Sequence, residues 1–168
     1  MTDKPKLLII GHARHGKDTF AEMLRDMHGF NFVSSSVFVG KEVLWDNWGV
    51  AVYDTFDEMF EDRVNHRKLW ADMITAYNTP DATKTAATMI ERGYDMYVGM
   101  RRRKELNACR KAGIFDLIVW VDRSDHLPNE PYESMEFVIT DADVVIDNNG
   151  TLEDLLDEVA EFVKEYVK

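Results

Sequence analysis

The chain is poor in several things. It has one cysteine, Cys109, so an intrachain disulfide is excluded and a reducing, cytoplasmic setting is expected. No apolar run approaches the roughly 20 residues that cross a bilayer, and the opening "MTDKPK" runs straight into a short apolar stretch without a signal-peptide core. No membrane partner is expected. Basic residues are scarce too: 20 Lys and Arg face 31 Asp and Glu, a formal charge of -11. Such a surface repels phosphate polymers and argues against tight nonspecific binding to DNA, but it leaves room for a local basic site. There are four prolines; two lie in "HLPNEPYES", which reads as a surface excursion between strands and not as a linker. Repeats and low-complexity tracts are absent. With 45% hydrophobic residues, the 168 residues suit one domain, 1–168.

The charge is segregated. Acids concentrate in "WDNWGVAVYDTFDEMFED" and in the C-terminal "LEDLLDEVAEFVKEYVK", and bases in "NHRK" and "MRRRKELNACRK". Periodicity supplies the elements. "KLLII", "FNFVSSS", "DMYVGM", "FDLIVWV" and "ADVVI" read as strands, several of them apolar enough to be buried on both faces. Helical spacing follows Lys17 (Phe20, Met23, Leu24, Met27, then Gly29 as a stop) and Asn65 (Leu69, Met73, Ile74, Tyr77, then Pro80). It recurs after Thr151, with Leu152, Leu155, Leu156, Val159, Phe162 and Val163 on one face. Strands alternating with helices predict an α/β fold: a five-stranded, mostly parallel sheet with helices on both faces.

The stretch "LLIIGHARHGKDT" comes close to G-x-x-x-x-G-K-[ST], the pattern in which backbone N–H groups of a tight turn meet phosphate oxygens at a helix N-terminus. Gly11, His12, Ala13, Arg14, His15, Gly16 and Lys17 form the loop, placed between an apolar strand and an amphipathic helix. Asp18 stands where the pattern has a hydroxyl. Two readings are open: Asp18 holds Mg²⁺ as a hard oxygen ligand, or it favours the first turn of the helix while Thr19 supplies the hydroxyl one position later.

With Asp after the Lys, "GHARHGKDT" resembles the loop of phage-type deoxynucleoside monophosphate kinases. The likeness continues in "HRKLWADMITAYN", in "DMYVGMRRRKELNACRKAGIFDLIVWVDR" and in "ADVVIDNNGTLEDLLDEV". The resemblance implies a P-loop kinase core, ATP with Mg²⁺ as donor and a deoxynucleotide as acceptor. Phage 5-hydroxymethyluracil DNA kinases, which act on a hydroxymethyl group in DNA and feed thymidine hypermodification, look like the same compact group, so modified DNA is a second candidate partner. One position departs from the pattern: where the group carries an Asp before the Arg turn, this chain has Gly99 and Met100.

Phosphoryl transfer is catalysed mainly by alignment and charge neutralisation, so arginines are the further candidates. Arg101 directly follows a predicted strand and would project at the carboxyl end of the sheet. Arg63 and Arg67 could clamp an acceptor phosphate, and Arg123 is placed like the lid arginine of small kinases. Arg102, Arg103 and Arg110 read as solvated, and Glu105 as a surface or capping residue. Asn148, Asn149 and Gly150 form a turn where such folds pack the donor base. The aromatics Trp45, Trp48, Tyr53, Phe56 and Phe60 are candidates for framing an acceptor base or for core. A nucleotide-binding switch without an acceptor is the remaining alternative.

Overall fold

Strand β1 (Leu7–Ile10) is buried along its whole length, as a run of four branched aliphatic residues requires if each is to leave water. It lies between β2 (Met96–Val98) and β3 (Leu117–Asp122), and β4 (Val144–Asp147) pairs with the far side of β3. All three pairings are parallel and the order is β2-β1-β3-β4. The computed structural model describes residues 4–168, so the first three residues of "MTDKPK" lie outside it.

Alternation along the strands divides the core in two. Leu7, Ile9, Met96, Val98, Val119, Val121 and Ile146 face α1 (Lys17–His28) and a long C-terminal helix, Leu152–Tyr166. Phe20 of the first meets Phe162 of the second edge to face, with ring centroids 5.5 Å apart. Leu8, Ile10, Tyr97, Ile118 and Trp120 face the other way, toward α2 (Ser35–Val39), α3 (Phe56–Asp62), α4 (Arg67–Tyr77), α5 (Lys84–Glu91) and α6 (Arg103–Ala112). The C-terminal helix is α7. The α/β architecture with a parallel sheet clad on both faces is therefore as expected.

The strand count is not. "FNFVSSS" forms no strand, and the described residues contain four. Asn31 exchanges a single main-chain bond, accepting from Asp95 N–H at 2.9 Å, while its own N–H donates to the Asp95 carboxylate at 2.8 Å. A side chain has replaced the next rung of the ladder. Three residues on, the Ser34 hydroxyl accepts from Val37 N–H and starts α2, which ends any extended run.

The aromatics between Trp45 and Phe60 pack on the helical side. Trp45 meets Phe56 at 6.2 Å, Phe56 stacks on Phe60 at 5.8 Å, and Trp48 sits against Tyr53 at 5.4 Å. All five are partly buried against the Leu8/Ile10 core, the ordinary use of such a cluster.

Candidate phosphate-binding site

A parallel sheet gathers the loops that leave its carboxyl ends. The chain passes from β1 to β2 on one side and then crosses back to β3 on the other side of β1, so the crevice opens next to the loop after β1. That loop, Gly11–Gly16, turns through three positive φ angles: Gly11 (145°), Arg14 (63°) and Gly16 (99°). Two glycines are required by what surrounds them. A Cβ on Gly11 would lie 2.5 Å from the Val121 carbonyl oxygen, and one on Gly16 would collide with the side-chain amide of Asn148. The same Asn148 amide donates to the His15 carbonyl at 2.9 Å, tying the loop to the turn after β4.

Lys17 opens α1 and folds back over the loop, its Nζ donating to the His12 carbonyl at 2.8 Å. Burial, reinforced by the charge of Arg101, pushes its ammonium down to about 8, with Asp18 and Glu130 pulling the other way. Asp18 is exposed and Thr19 half-buried in the first turn of α1. Both offer hard oxygens of the kind Mg²⁺ takes, and no cluster of three His, Cys, Asp or Glu suited to a metal occurs among the described residues. A metal here would draw one or two ligands from the protein and the rest from phosphate and water.

The two loop histidines brace and do not reach outward. His15 is fully buried, and its Nδ1 accepts from Arg123 N–H at 3.0 Å. His12 accepts at Nδ1 from Glu130 N–H at 3.0 Å; burial, with His15 and Lys17 adding to it, lowers its pKa against the opposing pull of Glu130 and Asp122, so it is neutral at pH 7. Arg14 is exposed. The Arg123 guanidinium is likewise engaged, donating to the carbonyls of Asn148 and Gly150 at the turn where a donor base was expected to pack.

Arg101 does reach the loop region, through a residue the sequence pattern did not reveal. Its Nη1 donates to Glu130 Oε1 at 2.7 Å, and Glu130 Oε2 accepts from Ala13 N–H at 2.8 Å. Burial raises the pKa of this carboxyl, but the Arg101 and Ala13 hydrogen bonds outweigh it and hold Glu130 below the ordinary carboxylate range. Gly99, at the end of β2, carries no acid, yet a carboxylate arrives beside Arg101 from the segment after β3. "HLPNEPYES" is the largely exposed excursion expected, and from it Glu130 reaches in to the loop. The signal open to sequence reading was an acid set between two prolines, Pro128 and Pro131, just beyond a strand end.

Arg63 and Arg67 are not brought to this group. Arg63 donates to the Phe60 carbonyl at 2.7 Å and stacks on the Phe60 ring, and Arg67 is exposed at the start of α4. The other arginines of "RRRKELNACRK" are paired and not simply solvated. Arg102 binds Glu136, Arg103 forms a fork with Asp141 at 2.5 and 2.8 Å, and Arg110 donates to the Asp141 carbonyl. Glu105 points inward with Oε1 buried and unpartnered, and burial pushes its carboxyl up to about 7. Cys109 is buried and free, its thiol pushed up to about 12 by burial and by Glu105.

Beside the loop opens a cleft of about 400 Å³. Trp120, Met135 and Phe137 supply apolar wall, and His12, Asp122 and Glu130 polar floor; its lining includes two acids and no Lys or Arg.

These features define a parallel α/β protein with a glycine-bearing loop after its first strand. No protein-family model matches the chain, and no curated protein matches its sequence. Solved structures do. TT1252 from Thermus thermophilus aligns over 99% of this chain and 100% of its own, at 16% identity and a TM-score of 0.52. A sugar kinase from Janibacter sp. HTCC2649 aligns over 96% of this chain and 95% of its own, at 14% identity and a TM-score of 0.51. The likeness is one of fold: this chain has the parallel α/β fold of that sugar kinase.

Proposed function

We propose that the protein is an ATP- and Mg²⁺-dependent phosphotransferase that moves the γ-phosphoryl group to a deoxynucleotide unit, most simply a deoxynucleoside monophosphate. One observation carries it: the Gly11–Gly16 loop, Lys17 and Arg101 converge on one region at the carboxyl end of the sheet. Amides and two cations gathered there suit a polyphosphate whose transferred group must be aligned and neutralised. Asp18 and Thr19 would hold Mg²⁺, which when bound offsets charge on the phosphate oxygens. The bond from the γ-phosphorus to the bridging oxygen breaks, ADP leaves, and an acceptor oxygen forms the new bond. Asn148 and Gly150 would border the donor base, and Arg123 holds that turn in place. Arg101 would serve both donor and acceptor, with Arg63 and Arg67 contributing only if the α3–α4 region moves inward.

A second reading is favoured by the cleft. Two acids without a Lys or Arg in its lining suit a neutral alcohol better than a phosphate ester, and Glu130 could take up the hydroxyl proton. That acceptor would be the 5-hydroxymethyl group of 5-hydroxymethyluracil in DNA.

The test is transfer from γ-labelled ATP with Mg²⁺ to a panel of deoxynucleoside monophosphates, beside plain and hydroxymethyluracil-containing DNA. Label in a monophosphate is expected. Label in modified DNA alone would replace the first reading by the second, and label in neither would refute both.

A further inference from the structure

Glu130 stands in a place where a phosphate group would be at home. Its carboxylate takes one backbone N–H of the phosphate loop and one guanidinium N–H of Arg101, and its own N–H is fastened to His12. Lys17 is near enough for the two charges to influence each other's pKa. Three attachments join residues more than a hundred positions apart for Ala13 and His12, and 29 apart for Arg101. A single loop residue with three such attachments is held by the site and not by its own turn.

We propose that Glu130 is an internal anion seated on the phosphate loop, and that a polyphosphate must displace its carboxylate from Ala13 N–H and Arg101 in order to bind. The chemistry is competition between two anions for the same donors. Carboxylate and phosphate both accept charge-assisted hydrogen bonds from Arg and from backbone N–H, so occupancy by one excludes the other. When the carboxylate leaves, Arg101 keeps only its bond to the Ser134 carbonyl and opens to the incoming phosphate, while buried Met135 and Phe137 and the Glu136–Arg103 contact hold the rest of the segment after β3 in place. Loop entry and release of Arg101 are then one event. The proposal rests on the reading of Gly11–Lys17 as a phosphate-binding loop and adds to it what fills the loop beforehand.

The test uses the full chain and inorganic tripolyphosphate with Mg²⁺, so that only the phosphate loop is read. Calorimetry compares wild type with Glu130→Gln, which keeps the shape and removes the charge, and with Glu130→Asp, which keeps the charge on a stem too short for both contacts. Both variants are expected to bind the probe about tenfold more tightly than wild type. Hydrogen exchange gives a second readout: the Ala13 amide should exchange faster in the Glu130→Gln protein than in wild type, and tripolyphosphate should protect it in both. Unchanged or weaker binding by both variants, or an Ala13 amide indifferent to the substitution, overturns this displacement while wild-type binding leaves the loop reading intact. Absence of binding in wild type and variants alike overturns the loop reading and the displacement with it.

Discussion

Lys17 meets two opposed demands. A buried ammonium near a guanidinium is uncomfortable in the folded chain, and its pKa falls from 10.5 to about 8. The unfolded chain therefore binds this proton more tightly than the folded one. Below pH 8 the folded state carries the whole cost, and the cost fades as pH rises from about 8 toward 10.5. It amounts to at most ~3 kcal/mol, reduced by the loss of the Lys17–His12 bond when the side chain is replaced. Lys17→Met is thus expected to raise the melting temperature at pH 7 by a few degrees, with a smaller gain at pH 9.5, while tripolyphosphate and ATP binding are lost. Scanning calorimetry at the two pH values checks it. A lower melting temperature at pH 7 would mean that the hydrogen bond outweighs the buried charge.

The loops depend on one another at the level of elements. Asn148, at the end of β4, holds the loop after β1 by donating to the His15 carbonyl, and Gly16 is bare because that amide occupies its side-chain space. Asn148→Ala would leave a buried carbonyl without its donor, a cost of about 1–3 kcal/mol. For a chain of this size that lowers the melting temperature by roughly 2–10 °C. Affinity for ATP should fall about tenfold, because a loop free to relax no longer aims its N–H groups together. A fall in melting temperature with unchanged affinity would show that the loop keeps its shape unaided.

The same elements show what sequence reading can reach. The strand, turn and helix around Gly11–Lys17 are legible because their information is local: a buried strand, glycines at fixed spacing, a lysine and an amphipathic helix within twenty-two residues. The extra strand at "FNFVSSS" was predicted because propensity is blind to Asp95, sixty-four positions away, whose carboxylate takes the N–H that a ladder would need. The role of Glu130 is hidden from the sequence for the same reason. Its partners Ala13 and His12 are 117 and 118 positions distant, and nothing in "HLPNEPYES" announces them.

Across the whole molecule the distribution of charge bears on the acceptor. In the sequence "MRRRKELNACRK" looks like a basic patch that could track a phosphate backbone. In the folded chain Arg101, Arg102, Arg103 and Arg110 are all paired with the acids Glu130, Glu136 and Asp141 of one following segment. The net charge of -11 then acts with little local relief. Binding to DNA depends on cations that displace condensed counterions, and few here are free to do so. Fluorescence anisotropy at about 150 mM salt is therefore expected to give a dissociation constant for duplex DNA weaker than ~10⁻⁴ M, with or without hydroxymethyluracil. A shallow salt dependence should accompany it. Tight binding with a steep salt slope would require the Arg102, Arg103 and Arg110 pairs to open, and Glu136→Gln with Asp141→Asn should then strengthen it further. That outcome would move the acceptor from the free nucleotide to the polymer, because only a polymer offers enough phosphates to draw three arginines from Glu136 and Asp141 at once.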